Sequence, residues 1–190
     1  MTPVFKPRLA LPDSPAVGAG QGRAAILTPD GELLSLPTEA ACARLAALPP
    51  PLLVHAPATF RRLGLRPGPA FDLLELFAFV LPARTAPPTA RGLCGALGLD
   101  PPARGFDAEA AILPDIAAAL LRRLAAGTPL PINRDAAGIA SWMGRAGWGW
   151  APAVLAALGR PDAPLTREAL QVWRSLPEWE ETAPLPPPGS

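Results

Sequence analysis

The stretch that decides the fold is "VHAPATFRRLGLRPGPAFDLLELFAFVLPA", residues 54–83. A short apolar run, typical of a buried strand, ends in His55, and a short helix with two arginines follows. Asp72 then opens a strongly apolar segment that Pro82 ends, as expected of a buried helix with an acid beside the free N–H groups of its first turn. This pattern predicts an α/β domain, and its order of histidine, basic pair and acid raises the question of an active site.

Strand and helix signals continue on both sides of this stretch. Upstream, "RAAILT" and "ELLSLP" flank the turn "PDG", so residues 23–36 are predicted to form a hairpin, and Thr38 is the expected N-cap of the next helix. Downstream, Thr89 is the expected N-cap of the helix "TARGLCGALG". Residues 107–126 have the apolar period of a long helix, which an internal proline is expected to kink or restart.

The order of these elements predicts three parts. Residues 1–127 are expected to form the α/β domain, 128–180 a helical annex, and 181–190 a Pro-rich linker into a further domain. Four of the five tryptophans lie between Trp142 and Trp173. We expect them to pack mainly against one another and against neighbouring apolar residues of the annex such as Ile139, Leu155 and Leu170.

Charge and composition exclude several classes of protein. The formal net charge is +1, with 15 basic against 11 acidic residues up to residue 160 and 2 against 5 beyond it, a surplus too small to indicate nucleic acid by itself. Cys42 and Cys94 lack metal-ligand spacing and fit small buried side chains in a reducing compartment, so we expect a cytoplasmic protein. No stretch approaches the roughly 20 apolar residues of a membrane span. Prolines interrupt the first residues too early for a signal peptide.

Four motifs, in order, resemble those of the proofreading-type exonuclease domains with four acidic ligands, the DEDD or DnaQ-like family on the RNase H-like fold. "LLVHAPATF" resembles the family's "HNxxFD" motif, "FDLLELFAFVLP" its "DTLxLAxxxxP" helix, "TARGLCGALGL" its "SLxxLxxxLGL" helix, and "AAILPDIAAALLRRL" its final "HxxxxD" helix. The resemblance covers residues 9–126. It implies an α/β, RNase H-like fold with a small mixed sheet flanked by helices, followed here by an all-helical annex.

In that family four acids hold two divalent metal ions, which clamp the attacking and leaving oxygens of a phosphodiester, and a histidine or tyrosine near the last acid is the general base. This chain departs from the pattern in its "HNxxFD"-like motif. Ala56 follows His55 where the family has asparagine, and Phe60 stands at the aspartate position, or Arg61 if the loop is one residue longer. None of these three side chains can bind a metal ion.

The resemblance leaves two remnant metal-site acids, Asp13 and Asp115. Asp13 is the candidate from the Asp-x-Glu motif expected on the opening strand, but Pro15 stands at the glutamate position. Asp115 matches the last acid, whereas Ala110 stands at the position of the general base. The literal Asp-x-Glu spacing in "DGE" at residues 30–32 fits the hairpin turn better. We therefore assign no catalytic and no metal-binding residue, and we expect Mg²⁺ only if some nuclease activity survives.

Arg61, Arg62 and Arg66 are the candidate nucleic-acid contacts, because guanidinium groups bind phosphates. The alternative is that they form an ordinary solvated surface. His55 is expected to be a packing residue, and Glu75 a half-exposed helix residue and not a ligand. The Gly–Trp segment "WMGRAGWGW" could stack on bases, but we expect it to close a helical core.

Domains of the resembled kind occur at the N-terminus of DinG-type ATP-dependent DNA helicases. The resemblance therefore predicts a catalytically inactive accessory module that positions DNA or packs on a helicase motor in the same or an associated chain. These residues contain no GxxxxGK[ST] phosphate-binding loop, so the ATP-dependent activity would belong to that motor. Two alternatives stay open: a stand-alone protein-interaction module with no nucleic-acid role, and an active metal-dependent 3′–5′ exonuclease.

Overall fold

The computed structural model describes residues 6–82, 84–127 and 132–170, with the backbone alone for 132–135 and 168. Five short strands form one mixed sheet. In chain order they are β1 Ala16–Ala19, β2 Arg23–Leu27, β3 Leu33–Pro37, β4 Leu52–Leu53 and β5 Phe71–Asp72. Their order across the sheet is β3-β2-β1-β4-β5, antiparallel from β3 to β1 and parallel from β1 to β5. Strands β1, β4 and β5 therefore end at the same edge of the sheet, which we call the carboxyl edge.

Helices cover both faces of this sheet. They are α1 Thr38–Leu45, α2 Ala56–Leu63, α3 Leu73–Val80, α4 Ala90–Leu97, α5 Phe106–Ala125, α6 Ile132–Arg145 and α7 Ala151–Ala157, and a 3₁₀ turn spans Glu168–Leu170. Because side chains alternate along a strand, Leu52 and Leu53 of β4 point to opposite faces. Leu52 joins the core formed with α3, α4 and α5, whereas Leu53 joins the core formed with α1 and α2.

The predicted α/β fold, with a small mixed sheet flanked by helices and a helical C-terminal part, is confirmed. The hairpin predicted over residues 23–36 is confirmed as β2 and β3. Strand β1 was not predicted, although it is the central strand and all four of its residues are buried. Its sequence, "AVGA", contains only one β-branched residue, so it lacks the composition that identifies strands.

Both ends of α4 agree with the predicted capping residues, whereas the start of α1 does not. The Thr89 hydroxyl accepts a hydrogen bond from Gly92 N at 3.0 Å, and Gly98 ends the helix with a φ of 72°. Thr38, the expected N-cap of α1, is instead its first helical residue, and Pro37 occupies the capping position without a side-chain hydrogen bond. Helix α5 runs as one element through the proline that was expected to kink or restart it.

Asp72 is the N-cap of α3, as its position in the sequence predicts. Its Oδ1 accepts hydrogen bonds from Leu74 N at 2.8 Å and Glu75 N at 3.4 Å. Its Oδ2 accepts a further bond from Ala56 N, the first residue of α2, at 2.7 Å. One buried carboxylate, 4% exposed, thus holds the N-termini of two helices together at the carboxyl edge.

The helical C-terminal part shares the core of the α/β part. Trp150, at the start of α7, is fully buried, and Val154 and Ala157 of α7 belong to the same apolar cluster as α3, α4 and α5. Trp150 Nε1 donates to the Asp72 carbonyl oxygen at 2.8 Å, and its ring meets Phe71 edge-on with 5.2 Å between centroids. The described part of the predicted annex, residues 132–170, is therefore joined to the described part of residues 1–127 by buried aromatic packing.

The expected mutual packing of the tryptophans is wrong for Trp148 and Trp150, whose aromatic partners are phenylalanines. Trp150 contacts β5, whereas Trp148 stacks on Phe79 of α3 with 5.0 Å between ring centroids. The Trp142 indole donates instead to the Thr166 carbonyl oxygen at 2.8 Å. Trp173 and the predicted linker 181–190 lie outside the described residues. Within the described part of the chain, no helix combines the length and apolar character needed to cross a membrane.

Candidate functional site

The carboxyl edge is where a functional site is most expected, because ligands of open α/β sheets bind outside the carboxyl ends of the parallel strands. Gly18 and Gly20 lie there, at the end of β1, with the spacing of an Asp-x-Glu pair. A Cβ at Gly18 would overlap the Phe106 carbonyl group, and a Cβ at Gly20 would lie 2.6 Å from the Phe106 ring. The first turn of α5 therefore rests directly on β1, where a pair of metal-binding carboxylates would need space.

Gly18→Ala is expected to destabilise the chain by about 1–3 kcal/mol, because α5 must move away from β1 to admit a methyl group. Gly95→Ala is the matched control. Gly95 lies in α4, and no neighbouring atom lies within 4 Å of the place that an added methyl group would take, so alanine there should stabilise by about 0.5–1 kcal/mol through its higher helix propensity. Urea denaturation of the two variants measures both effects. Equal stabilities for the two would mean that α5 does not seal the end of β1.

Asp13 and Asp115, the two acids that the resemblance suggested as remnants of a metal site, do not lie at the carboxyl edge. Asp13 precedes β1 and is exposed, so it does not occupy the opening strand as the motif comparison expected. It lines a cavity of about 310 Å³ together with Pro114, at the amino end of β1. Asp115 is also exposed and lies nine residues, about 13 Å along the helix axis, beyond Phe106. Neither acid is therefore at the carboxyl edge, and the described residues contain no cluster of three or more His, Cys, Asp or Glu side chains that could hold a metal ion.

The "HNxxFD"-like segment forms the end of β4 and helix α2. His55 is half-buried at the N-cap position of α2 and makes no side-chain capping bond. The backbone N–H of Ala56 is bound by Asp72, so α2 is capped from β5 and not from its own sequence. Phe60, one of the two positions that the resemblance aligns with an aspartate, is only 7% exposed and packs in the core beneath α2. An acid at this position would face apolar side chains and not solvent.

The three candidate arginines are all exposed. Arg61 and Arg62 lie in the last turn of α2, and Arg66 follows in the loop after the helix. Burial raises the pKa of Glu109 in the first turn of α5, and the nearby positive charge of Arg62 opposes that shift. The structure thus brings Arg62 close to the start of α5, and it leaves the guanidinium groups accessible to a polyanion.

A second site, which the sequence did not predict, is a groove between α3 and α6. It consists of two cavities of about 440 and 410 Å³ that share Glu75, Met143 and Trp148, and we call it the Glu75 groove. Trp148 Nε1 donates to Glu75 Oε2 at 3.1 Å across the groove. Burial raises the pKa of the Glu75 carboxyl, and the negative charge of Asp72 raises it further, while the indole hydrogen bond acts in the opposite direction.

Local sequence patterns could not reveal this groove. Glu75 and Trp148 are 73 residues apart, and neither belongs to a recognisable binding motif. The Gly–Trp segment was the one available signal, but the expected alternatives for it were base stacking or a separate helical core. Glu75 is exposed, as an acid on the solvent side of a helix should be, and nothing in its own helix indicates that an indole hydrogen-bonds to it.

Comparison with family models, curated proteins and solved structures finds no match to this chain. The fold and the two candidate sites define the chain as an α/β protein with a five-stranded mixed sheet. Its carboxyl edge is closed at β1, and a groove is open between α3 and α6.

Proposed function

We propose that this chain is a catalytically inactive exonuclease-like accessory module of an ATP-dependent DNA helicase, acting in the cytoplasm. It positions DNA or packs on the helicase motor, which lies in the same or an associated chain. The order of motifs between residues 9 and 126 supports the relationship to the DnaQ-like domains. The mixed sheet, with parallel strands β1, β4 and β5 that end at one edge, is consistent with it.

The observation that carries the inactive assignment is the contact of Gly18 and Gly20 with Phe106. Two-metal phosphodiester chemistry needs carboxylates that converge on two cations a few ångströms apart. At the end of β1 the pair of positions with the required spacing is occupied by glycines. The backbone of α5 fills the space in front of Gly18, and the Phe106 ring fills the space in front of Gly20. A nuclease centre would have to be assembled elsewhere, and Asp13 and Asp115 supply only two exposed acids.

Weak, salt-dependent binding of single-stranded DNA is the expected property of the DNA-positioning role. Changing Arg61 and Arg62 together to alanine should flatten the plot of log K against log salt by about 1.4, since each lost phosphate contact on a single strand changes the slope by about 0.7. Fluorescence anisotropy with a labelled oligonucleotide measures this slope. The salt concentration is varied from about 25 to about 200 mM, the range over which such binding weakens.

The matched control is the double change of Arg122 and Arg160 to alanine. Both residues are exposed and lie outside α2, so the variant loses the same charge without touching the proposed contact. Its slope should equal that of the unchanged chain. Binding that persists at high salt, or identical slopes for the two double variants, would contradict DNA positioning by α2.

The stand-alone interaction module remains the second candidate, and one observation favours it. The Glu75 groove leaves Phe79, Ile139 and Met143 only partly covered by the described chain, as an unoccupied binding surface would be. Absence of DNA binding even at about 25 mM salt, roughly a sixth of the physiological ionic strength, would favour this candidate over the helicase module. No specific feature of the described residues favours the active exonuclease.

A further inference from the structure

We propose that the Glu75 groove binds a small organic cation, with the positive group on the Glu75 carboxylate and an apolar body between α3 and α6. This inference goes beyond the proposed helicase module and does not depend on it. It rests on the shape of the groove, on its single charge and on the fixed position of Trp148.

The larger cavity has the size and lining of a small-molecule site. Its volume of about 440 Å³ falls within the range of roughly 300–1,000 Å³ that is usual for ligand pockets. Helix α3 and Pro82, two residues beyond its end, contribute one wall. Helix α6 contributes the other through positions three and four residues apart, which form one stripe of the helix. The lining side chains other than Glu75 and Trp148 are Ala78, Phe79, Pro82, Ala136, Ile139 and Met143.

The charge of the groove selects a cation. Glu75 is the one ionisable side chain among the described residues that line either cavity. Partial burial and the nearby Asp72 both make the ionised carboxylate less favourable, as the raised pKa of Glu75 reflects. A bound ammonium or guanidinium group would offset both effects, whereas a phosphate or carboxylate would add to them. The groove is therefore unsuited to DNA.

Trp148 is held in position before any ligand binds. Its indole nitrogen is hydrogen-bonded to Glu75 Oε2, and its ring lies against Phe79 at an interplanar angle of 37°. Its backbone N–H donates to the Met143 carbonyl oxygen at 2.9 Å, which fixes the turn after α6. A cation at Glu75 would thus meet a carboxylate whose position an ordered indole already fixes. Little ordering of the protein is then needed on binding.

The test uses 2-phenylethylammonium and the neutral 2-phenylethanol, which share an aromatic body and differ in the charged group. Calorimetry or protein NMR with the full chain should give at least tenfold tighter binding for the ammonium compound. Glu75→Gln should abolish that preference and leave the weak binding of the alcohol unchanged. Glu39→Gln, an exposed acid in the first turn of α1, is the matched control and should retain the preference.

A second variant separates loss of the site from loss of folding. Ala78→Phe fills the groove from an exposed position of α3 and keeps Glu75, so it should abolish binding of both compounds while the urea midpoint stays close to that of the unchanged chain. The Arg61/Arg62 double variant should bind the ammonium compound normally, which distinguishes failure of this proposal from failure of the DNA-binding proposal.

Equal affinities of the two compounds for the unchanged chain, or an unchanged preference in Glu75→Gln, would overturn the proposal. A third compound, the peptide acetyl-Leu-Lys-Leu-amide, tests whether the groove binds peptides instead of small molecules. Binding of this peptide more than tenfold tighter than the ammonium compound would make the groove a peptide-docking site and would also overturn the assignment to a small ligand.

Discussion

Trp150→Ala is expected to lower the free energy of unfolding by about 3–5 kcal/mol, the usual cost of truncating a fully buried large aromatic side chain. Trp150 is 0% exposed, its ring packs edge-on against Phe71, and its indole donates to the Asp72 carbonyl oxygen. Alanine would leave a large cavity between α7 and β5 and would remove the indole N–H that this carbonyl accepts. Urea denaturation followed by circular dichroism measures the loss.

Trp142→Ala is the matched control for this prediction. Trp142 is half-buried, and its indole bonds to Thr166 within the helical part, so its loss should cost only about 1–2 kcal/mol. Because the helical part shares its core with the α/β part, both variants should unfold in one cooperative transition. Equal losses for the two variants, or a separate early transition of the helical part, would show that Trp150 does not join the two parts.

Asp72→Ala is expected to cost about 2–4 kcal/mol. Its carboxylate accepts bonds from the N-termini of α2 and α3, and loss of a helix cap alone costs about 1 kcal/mol, with a further penalty for leaving the partly buried Ala56 N–H unpaired. Thermal or urea denaturation at neutral pH gives the value. Asp115→Ala, at an exposed acid of α5, should change stability by no more than about 0.5 kcal/mol.

Asp72→Asn tests separately the hydrogen bonds that this side chain makes to α2 and to α3. An asparagine can keep the Oδ1 bond to Leu74, but it places its NH₂ group, a donor, against the N–H of Ala56. We therefore expect a loss between those of Asp72→Ala and the unchanged chain. If asparagine were neutral, the bond from α2 to Asp72 would contribute nothing to stability.

Sequence patterns located the elements whose signals are local. Thr89 and Gly98 bound α4 as their capping preferences require, and Asp72 was recognised as a helix-starting acid. Strand β1 was missed because its residues are small, and β5 because two residues are too few to show alternation. With β1 unrecognised, Asp13 was assigned to the opening strand, although Gly18 and Gly20 lie at its end.

The features that sequence patterns did not predict depend on contacts between residues far apart in the chain. The bond from Asp72 to α2 and the bond from Trp150 to β5 join residues 16 and 78 positions apart. No periodicity or motif encodes such pairings, so the tryptophans were expected to pack on their neighbours in sequence. The Glu75 groove was missed for the same reason, since its two walls come from α3 and α6.

The most direct test of the inactive-exonuclease proposal is a nuclease assay with the purified chain. The protein is incubated with a 5′-labelled single-stranded oligonucleotide and Mg²⁺ or Mn²⁺, beside a chelator control and the Asp13→Ala/Asp115→Ala double variant. We expect the oligonucleotide to keep its full length in every sample, because glycines occupy the end of β1 and no carboxylates of the described residues converge there. Metal-dependent trimming from the 3′ end by the unchanged chain, lost in the double variant, would contradict the proposal and establish an active nuclease.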